Sequence, residues 1–145
     1  MMKWIYAGPL SFALLLVSYP AHGRNEAAWQ AVYCKGMSLN VRLPSGGEAD
    51  CISPEYAIEV EWAYHWAEAV GQALSYATEV NRKPGIIFLC PSSDQRDEGL
   101  CRSYMYRLEY ALKHVRTHIE VWECFPEDQT LADCFRPVVQ DVEDK

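Results

Sequence analysis

The sequence predicts an α/β domain in which a mixed central sheet is flanked by helices, with the element order α-β-β-β-α-β-α-β. Three strand-like stretches in the first half are separated only by short turns, and strands joined in this way pair antiparallel. The two strands of the second half each follow a long amphipathic helix, the connection expected between parallel neighbours. A length of 145 residues fits a single domain.

Residues 1–23 have the pattern of a secretory signal peptide. A positive region at Lys3 precedes an apolar run over residues 5–17, and small residues stand just before the expected cleavage at Arg24. This run is shorter than the roughly 20 apolar residues that a membrane anchor needs. We therefore expect an exported protein, periplasmic or secreted, with no membrane segment after cleavage and with one domain over residues 24–145.

The first elements of that domain are predicted to be one helix and three strands. Asn25 can cap the helix and Gly36 can end it, because Asn accepts hydrogen bonds from free backbone amides and Gly tolerates the backbone conformation that stops a helix. Alternating polarity, with turns rich in Pro, Gly and Ser, predicts the strands. The ranges are 25–36 for the helix and 38–43, 48–52 and 56–62 for the strands.

Two helix–strand pairs are predicted to complete the domain. An apolar stripe at helical spacing covers residues 63–81, and a second stripe on one face of that helix comprises His65, Glu68, Gln72 and Tyr76. A continuous apolar run over residues 86–90 is typical of a strand buried on both faces. The next helix, residues 98–116, would direct Leu100, Tyr104, Leu108, Ala111 and Val115 inward. A strand over residues 118–124 and a loop-like tail from about residue 125 follow.

The charge balance limits the kinds of partner that the chain can bind. There are 13 Lys and Arg against 20 Asp and Glu, so the net charge is −7. This balance argues against a protein that coats nucleic acid by bulk charge. Nucleic-acid chemistry would need a metal ion or a local basic patch.

All six cysteines lie after the predicted cleavage position. An even number of cysteines in an exported chain indicates disulfides. We expect Cys124 to pair with Cys134, because the two are close in sequence and both lie near the C-terminus. A zinc site is the competing interpretation, although there is no Cys-x-x-Cys pair and no His near a Cys at ligand spacing.

Three carboxylates are predicted to meet on neighbouring strands. Asp50 lies on the second strand, and Glu59 and Glu61 share one face of the third because side chains alternate along a strand. Carboxylates that face each other repel unless a cation lies between them, and Mg²⁺ or Mn²⁺ takes such oxygen ligands. The alternative is an ordinary solvated strand face.

The element order resembles that of the restriction-endonuclease-like, PD-(D/E)XK nuclease superfamily. In that family an Asp ends the second core strand and a (D/E)-x-K follows on the third, and Asp50 and Glu59-Val60-Glu61 match these positions. Gln72 and Tyr76 are similar to the Gln-x-x-x-Tyr element of the RecB-like branch, which contacts nucleic acid near the metal. The resemblance covers most of the domain as an order of elements, and its motifs are specific over residues 49–77.

This resemblance implies an exported nuclease that hydrolyses phosphodiesters in DNA with Mg²⁺ or Mn²⁺. It implies that Asp50 and Glu59 hold the metal and that Glu26, on the first helix, is an accessory acid. Gln72 and Tyr76 would contact the substrate.

The clearest departure from the family pattern is Glu61, which stands where the family has its catalytic Lys. That Lys orients the attacking water and stabilises the charged phosphate, and a carboxylate cannot supply its positive charge. His65 is the candidate for a displaced base, because it lies on the helical face that carries Gln72. The alternative is a partly exposed helix histidine without a catalytic role. Lys83 lies beyond the helix and is a weak substitute.

Glu61 leaves other functions open. One alternative is that Glu61 binds a second metal, and another is that the site is inactive. In the latter case the protein would bind a protein or nucleic-acid partner, as in a secretion or DNA-transfer assembly. A disulfide-stapled structural domain without a site is the remaining alternative.

Overall fold

A computed structural model describes residues 25–92 and 95–137, with residues 95–97 described by their backbone alone. The predicted signal peptide and the end of the tail lie outside the described residues. The elements follow the predicted order: α1 (Glu26–Tyr33), β1 (Ser38–Arg42), β2 (Glu48–Ile52), β3 (Tyr56–Trp62), α2 (Trp66–Val80), β4 (Lys83–Leu89), α3 (Gln95–Leu112) and β5 (Glu120–Cys124). The chain is thus an α/β domain with a five-stranded sheet flanked by three helices.

The sheet is mixed, as the connection lengths predict. Its strands lie in the order β1-β2-β3-β4-β5. The tight turns make β1 and β2, and β2 and β3, antiparallel. The crossovers through α2 and α3 make β3 and β4, and β4 and β5, parallel. Within the described part of the tail, Phe135 forms an isolated bridge with Glu123, and the rest of residues 125–137 is irregular.

Strand β4 begins at Lys83, earlier than the predicted start at residue 86. Its parallel register with β3 runs from Tyr56 opposite Lys83 to Trp62 opposite Leu89, so Pro84 and Gly85 lie inside the ladder. A Cβ on Gly85 would stand 2.8 Å from the ring of Trp122. Gly85 therefore allows the Trp122 side chain to pack closely against the backbone of β4, whereas the sequence pattern indicated a helix-breaking turn.

The helix boundaries differ from the predicted ones in three places. α1 ends at Tyr33 and not at residue 36. A 3₁₀ turn, Ala63–His65, precedes α2, which ends at Val80 and is followed by the cap residue Asn81 with a left-handed φ of 52°. α3 runs from Gln95 to Leu112 and not over residues 98–116. No helix in residues 25–92 and 95–137 is long and apolar enough to cross a membrane.

Leu100 was expected to point inward from α3, and this prediction is wrong. It is 52% exposed, while Cys101 beside it is buried. Cys101 takes the inward position because it is bonded to Cys90 at the end of β4. One residue along a helix corresponds to a rotation of about 100°, so Leu100 turns to the surface.

The sheet carries a separate apolar core on each face. On one face α2 and α3 pack against β4 and β5 through residues that include Ala69, Ala73, Phe88, Leu108 and Val121. On the other face α1 packs through residues that include Trp29 and Tyr33, against Ile58, Val60 and Ile87. Strand β1 is largely exposed, whereas β3, β4 and β5 have few solvated positions, so polar side chains inside these three strands need a specific explanation.

Three disulfides join the elements in pairs. Cys34–Cys51 ties the end of α1 to β2, Cys90–Cys101 ties β4 to α3, and Cys124–Cys134 ties β5 to the tail. The predicted pairing of Cys124 with Cys134 is confirmed. With all six sulfurs in disulfides, no thiolate remains for the zinc alternative. Such bonds are typical of a chain that folds in an oxidising compartment.

Candidate active site

The site forms where β2 and β3 separate. The two strands pair only at Cys51 with Ile58 and at Ile52 with Ala57, so the next residues outward leave the ladder. There the backbone N–H of Val60 donates to Asp50 Oδ2 at 2.7 Å. The carboxylate thus replaces the missing strand partner, and it is fixed at the opening between the two strands.

Gln30 on α1 supports this opening from the other side. It is 7% exposed, and its Nε2 donates to the backbone oxygen of Asp50 at 2.6 Å and to Asn40 Oδ1 at 2.8 Å. The sequence analysis missed this role. The available signal was a polar residue between Trp29 and Tyr33 on the buried side of an amphipathic helix.

Glu59 and Glu61 are buried, with 5% and 9% of their surface exposed. The alternative of a solvated strand face is therefore wrong. Both residues alternate onto the face where Ile86 and Phe88 of β4 lie in the same register, and α2 packs on that face. Glu59 Oε2 has no hydrogen-bond partner among the described residues. A buried carboxylate oxygen without a partner is costly and points to a missing proton or cation.

The carboxyl groups form two close pairs. Burial and the charges of Asp50 and Glu61 raise the pKa of Glu59 to about 9, with protonated Glu59 bonded to Asp50. Burial and the charge of Glu61 raise the pKa of Glu26 to about 7. Burial also raises the pKa of Asp50, against the opposing hydrogen bond from Val60. Without a cation, these groups cannot all be ionised at neutral pH.

Glu61 holds His65 on the rim of the cluster. Its Oε1 accepts from the backbone N–H of Trp62 at 2.8 Å and lies 3.2 Å from His65 Nδ1. The side chain of His65 is 48% exposed, whereas that of Glu61 is 11% exposed. The histidine is thus anchored to the acidic cluster by one ring nitrogen and faces solvent with part of its ring.

Glu68 extends this arrangement by one helical turn. Glu61, His65 and Glu68 each offer one ligand atom, and these atoms lie within 4.8 Å of one another. The sequence analysis placed Glu68 on the same helical stripe but did not assign it to the site. The i, i+3 spacing from His65 was the signal that could have done so.

Gln72 and Tyr76 lie over the buried acids. Gln72 Nε2 is 3.4 Å from Tyr76 Oη, and Gln72 Oε1 is buried without a partner among the described residues. Burial and the charge of Glu59 raise the pKa of Tyr76, which places the phenol within the field of the carboxyl groups. The second stripe of α2 therefore faces the site, as its spacing predicts.

One region thus gathers every residue that the sequence analysis selected: Glu26, Asp50, Glu59, Glu61, His65, Gln72 and Tyr76. Lys83 lies away from it, opposite Tyr56 at the far end of β3, and its Nζ binds Glu55 at 2.8 Å. This position agrees with the expectation that Lys83 is a weak candidate for the site.

Comparison with protein-family models, with curated proteins and with solved structures finds no match to this chain. The chemistry of the site is therefore argued from its own geometry. A buried set of carboxylates, one of them without a partner, suits a hard divalent cation. A half-exposed imidazole at the rim suits proton transfer.

Proposed function

We propose that this chain is an exported, metal-dependent nuclease with a restriction-endonuclease-like, PD-(D/E)XK fold, which hydrolyses phosphodiesters in DNA. The observation that carries the proposal is the buried Glu59 beside Asp50, whose Oε2 has no hydrogen-bond partner among the described residues, at the point where β2 and β3 separate. Three disulfides and the signal-peptide pattern support export.

The donor set fits Mg²⁺ or Mn²⁺. Asp50 and Glu59 would hold the ion, with Glu26 as an accessory acid within reach of Glu61. Both ions prefer carboxylate oxygens and retain waters, so a few protein ligands suffice. When bound, such an ion supplies an activated water and neutralises the charge that develops on the phosphate.

His65 is proposed to act as the base in place of the family's lysine. Its Nδ1 faces Glu61 Oε1, so an N–H at Nδ1 donates to that carboxylate and leaves Nε2 free to accept a proton. Gln72 and Tyr76 would contact the phosphodiester, because their polar atoms lie over the carboxyl groups. Glu61 thus acts as a positioning residue for the histidine.

A second candidate function follows from Glu61 itself. The site contains a carboxylate where the family pattern has a positive charge, and this favours an inactive nuclease-fold protein that binds a protein or nucleic-acid partner. The two functions differ in whether the site that contains the buried acids hydrolyses a phosphodiester.

The discriminating experiment is DNA cleavage by the exported chain with Mg²⁺ or Mn²⁺, on plasmid and on single-stranded DNA. Asp50→Ala and Glu59→Ala should abolish cleavage, and Glu127→Gln, an exposed acid of the tail, should leave it unchanged. His65→Ala should reduce the rate by 10²–10⁴-fold, the usual contribution of a general base. Inert wild type with both metals would refute the nuclease, as would acid variants that cut normally. Mn²⁺ binding without cleavage would favour the partner-binding alternative.

A further inference from the structure

A surface groove of about 510 Å³ lies between the start of α2 and the second half of α3. It is separate from the acidic cluster, and it is lined by Trp66, Tyr106, Arg107, Tyr110, Ala111 and His114. Three of these residues are aromatic and one is always cationic. None of the described residues that line it is a carboxylate, although the whole chain has a net charge of −7.

The tyrosines of this groove are not core residues. Tyr106 is 64% exposed and Tyr110 is 58% exposed, with their ring centroids 6.2 Å apart. Consecutive turns of α3 thus present two tilted rings to solvent. Exposed ring faces that follow one another along a surface are a platform on which unpaired bases stack.

Cations are placed beside these rings. Lys113 Nζ lies 5.2 Å from the ring centroid of Tyr110. Arg107 lines the groove, and its guanidinium carbon lies 5.6 Å from the ring centroid of Tyr104. Among the described acids of α3, Glu98 and Glu109 line a different, acidic groove, which also contains Glu123 and Arg102. The groove beside Tyr106 and Tyr110 has Arg107 in its lining and no carboxylate among its described lining residues, and this composition suits a phosphate backbone.

The groove is connected to the proposed active site. Trp66, one of its walls, directly follows His65 in the chain. Tyr64, which is 50% exposed, meets the His65 ring edge-on at 4.5 Å and stacks on Trp62 at 6.3 Å. Tyr64 and Trp66 are thus the aromatic neighbours of the candidate base in the chain, and Trp66 is also a wall of the groove.

We propose that this groove binds single-stranded nucleic acid, with bases stacked on Tyr106 and Tyr110 and phosphates at Arg107 and Lys113. This inference deepens the proposed function by naming the substrate form, and it depends on that function for the fate of the bound strand. A duplex is disfavoured because its paired bases cannot leave the stack to meet the tyrosine rings. Binding in the groove leads the strand past Tyr64 toward His65.

The test measures binding without cleavage. Binding of a labelled oligothymidylate to the Asp50→Ala variant of the exported chain is measured by fluorescence anisotropy in EDTA. The same protein is titrated with a labelled blunt-ended duplex, which has no unpaired bases. Tyr106→Ala and Tyr110→Ala should each weaken oligothymidylate binding about 5- to 100-fold, which corresponds to one stacked base. Tyr106→Phe should retain most of the affinity, because the ring remains. Arg107→Gln should lower the salt dependence of binding.

Phe135→Ala is the matched control, since Phe135 is 62% exposed and lines the acidic groove. It should leave the affinity unchanged. The proposal is overturned if the tyrosine variants bind like the parent, if the duplex binds as tightly as the single strand, or if the parent does not bind the oligonucleotide. Plasmid cleavage that needs Asp50, together with any of these results, would refute the groove and spare the proposed function. Oligonucleotide binding that depends on Tyr106, in a protein that does not cleave DNA, would support the groove and refute the proposed nuclease function.

Discussion

Replacing Glu59 with Gln should stabilise the metal-free protein, by an amount that grows with pH. Burial and the neighbouring charges raise the pKa of Glu59 to about 9 from its ordinary value of 4.5. The folded chain therefore keeps a proton that the unfolded chain releases above pH 4.5. Because the folded state binds more protons in this window, the stability present below pH 4.5 is lost as the pH rises toward 9. Glutamine has nearly the same shape and stays neutral, so the Glu59→Gln variant keeps this stability as the pH rises.

The expected size follows from the linkage relation. One retained proton changes the free energy of unfolding by about 1.4 kcal/mol per pH unit. Between pH 5 and pH 7 the difference between Glu59→Gln and wild type should thus grow by up to about 3 kcal/mol, and by less where Asp50 and Glu26 titrate together with Glu59. Glu26, whose pKa is raised to about 7, is present in both proteins.

The assay is urea unfolding in EDTA at several pH values, with Glu127→Gln as the exposed-acid control. The control should follow the wild-type curve throughout. Adding Mn²⁺ at pH 8 should stabilise the wild type, because the cation replaces the retained protons, and should stabilise Glu59→Gln much less. Parallel stability curves for wild type and Glu59→Gln would show that the carboxyl is ionised in the folded state, and the argument for a cation site would lose its basis.

Three further changes test the scaffold by urea unfolding. Gly85→Ala should destabilise the fold by about 2 kcal/mol, because its Cβ would meet the Trp122 ring at 2.8 Å; an unchanged midpoint would mean that the strands shift freely. Replacing Cys34 and Cys51 together by Ala removes a disulfide that spans a sequence separation of 17, and it should lower the free energy of unfolding by about 3 kcal/mol. Equal stability would show that the unfolded chain already keeps these two segments close together. Gln30→Leu removes the donor to the Asp50 carbonyl and should cost roughly 1–3 kcal/mol and weaken Mn²⁺ binding; a stable variant with normal Mn²⁺ affinity would contradict the positioning role.

The fold was predictable from connection lengths and periodicity, because both are local properties of the sequence. Alternation over residues 56–62 and helical spacing over residues 66–80 identify β3 and α2 without tertiary information. The first residue of β4 and the inward-facing side of α3 were not predictable. They depend on contacts distant in sequence: the approach of Trp122 to Gly85, and the bond from Cys101 to Cys90.

The site was predictable only as a set of residue types on neighbouring elements. Alternation places Glu59 and Glu61 on one face, but nothing local decides whether that face is solvated or covered. Packing of α2 decides it, and this packing turns two ordinary glutamates into buried acids. Gln30 was missed for the same reason, since its function depends on a backbone carbonyl that is 20 residues away.

The net charge of −7 conceals an uneven distribution that bears on function. Several acids lie together in the opening between β2 and β3, where burial and mutual repulsion favour either protonation or a bound cation. Arg107 in the groove and Lys113 beside Tyr110 are the cations near the exposed rings at the end of α3. A polyanion would be repelled by the acidic opening unless a divalent ion were bound there, while these two cations would attract it. Productive binding would therefore require an ion first, because without one the carboxylates of the opening would repel the strand.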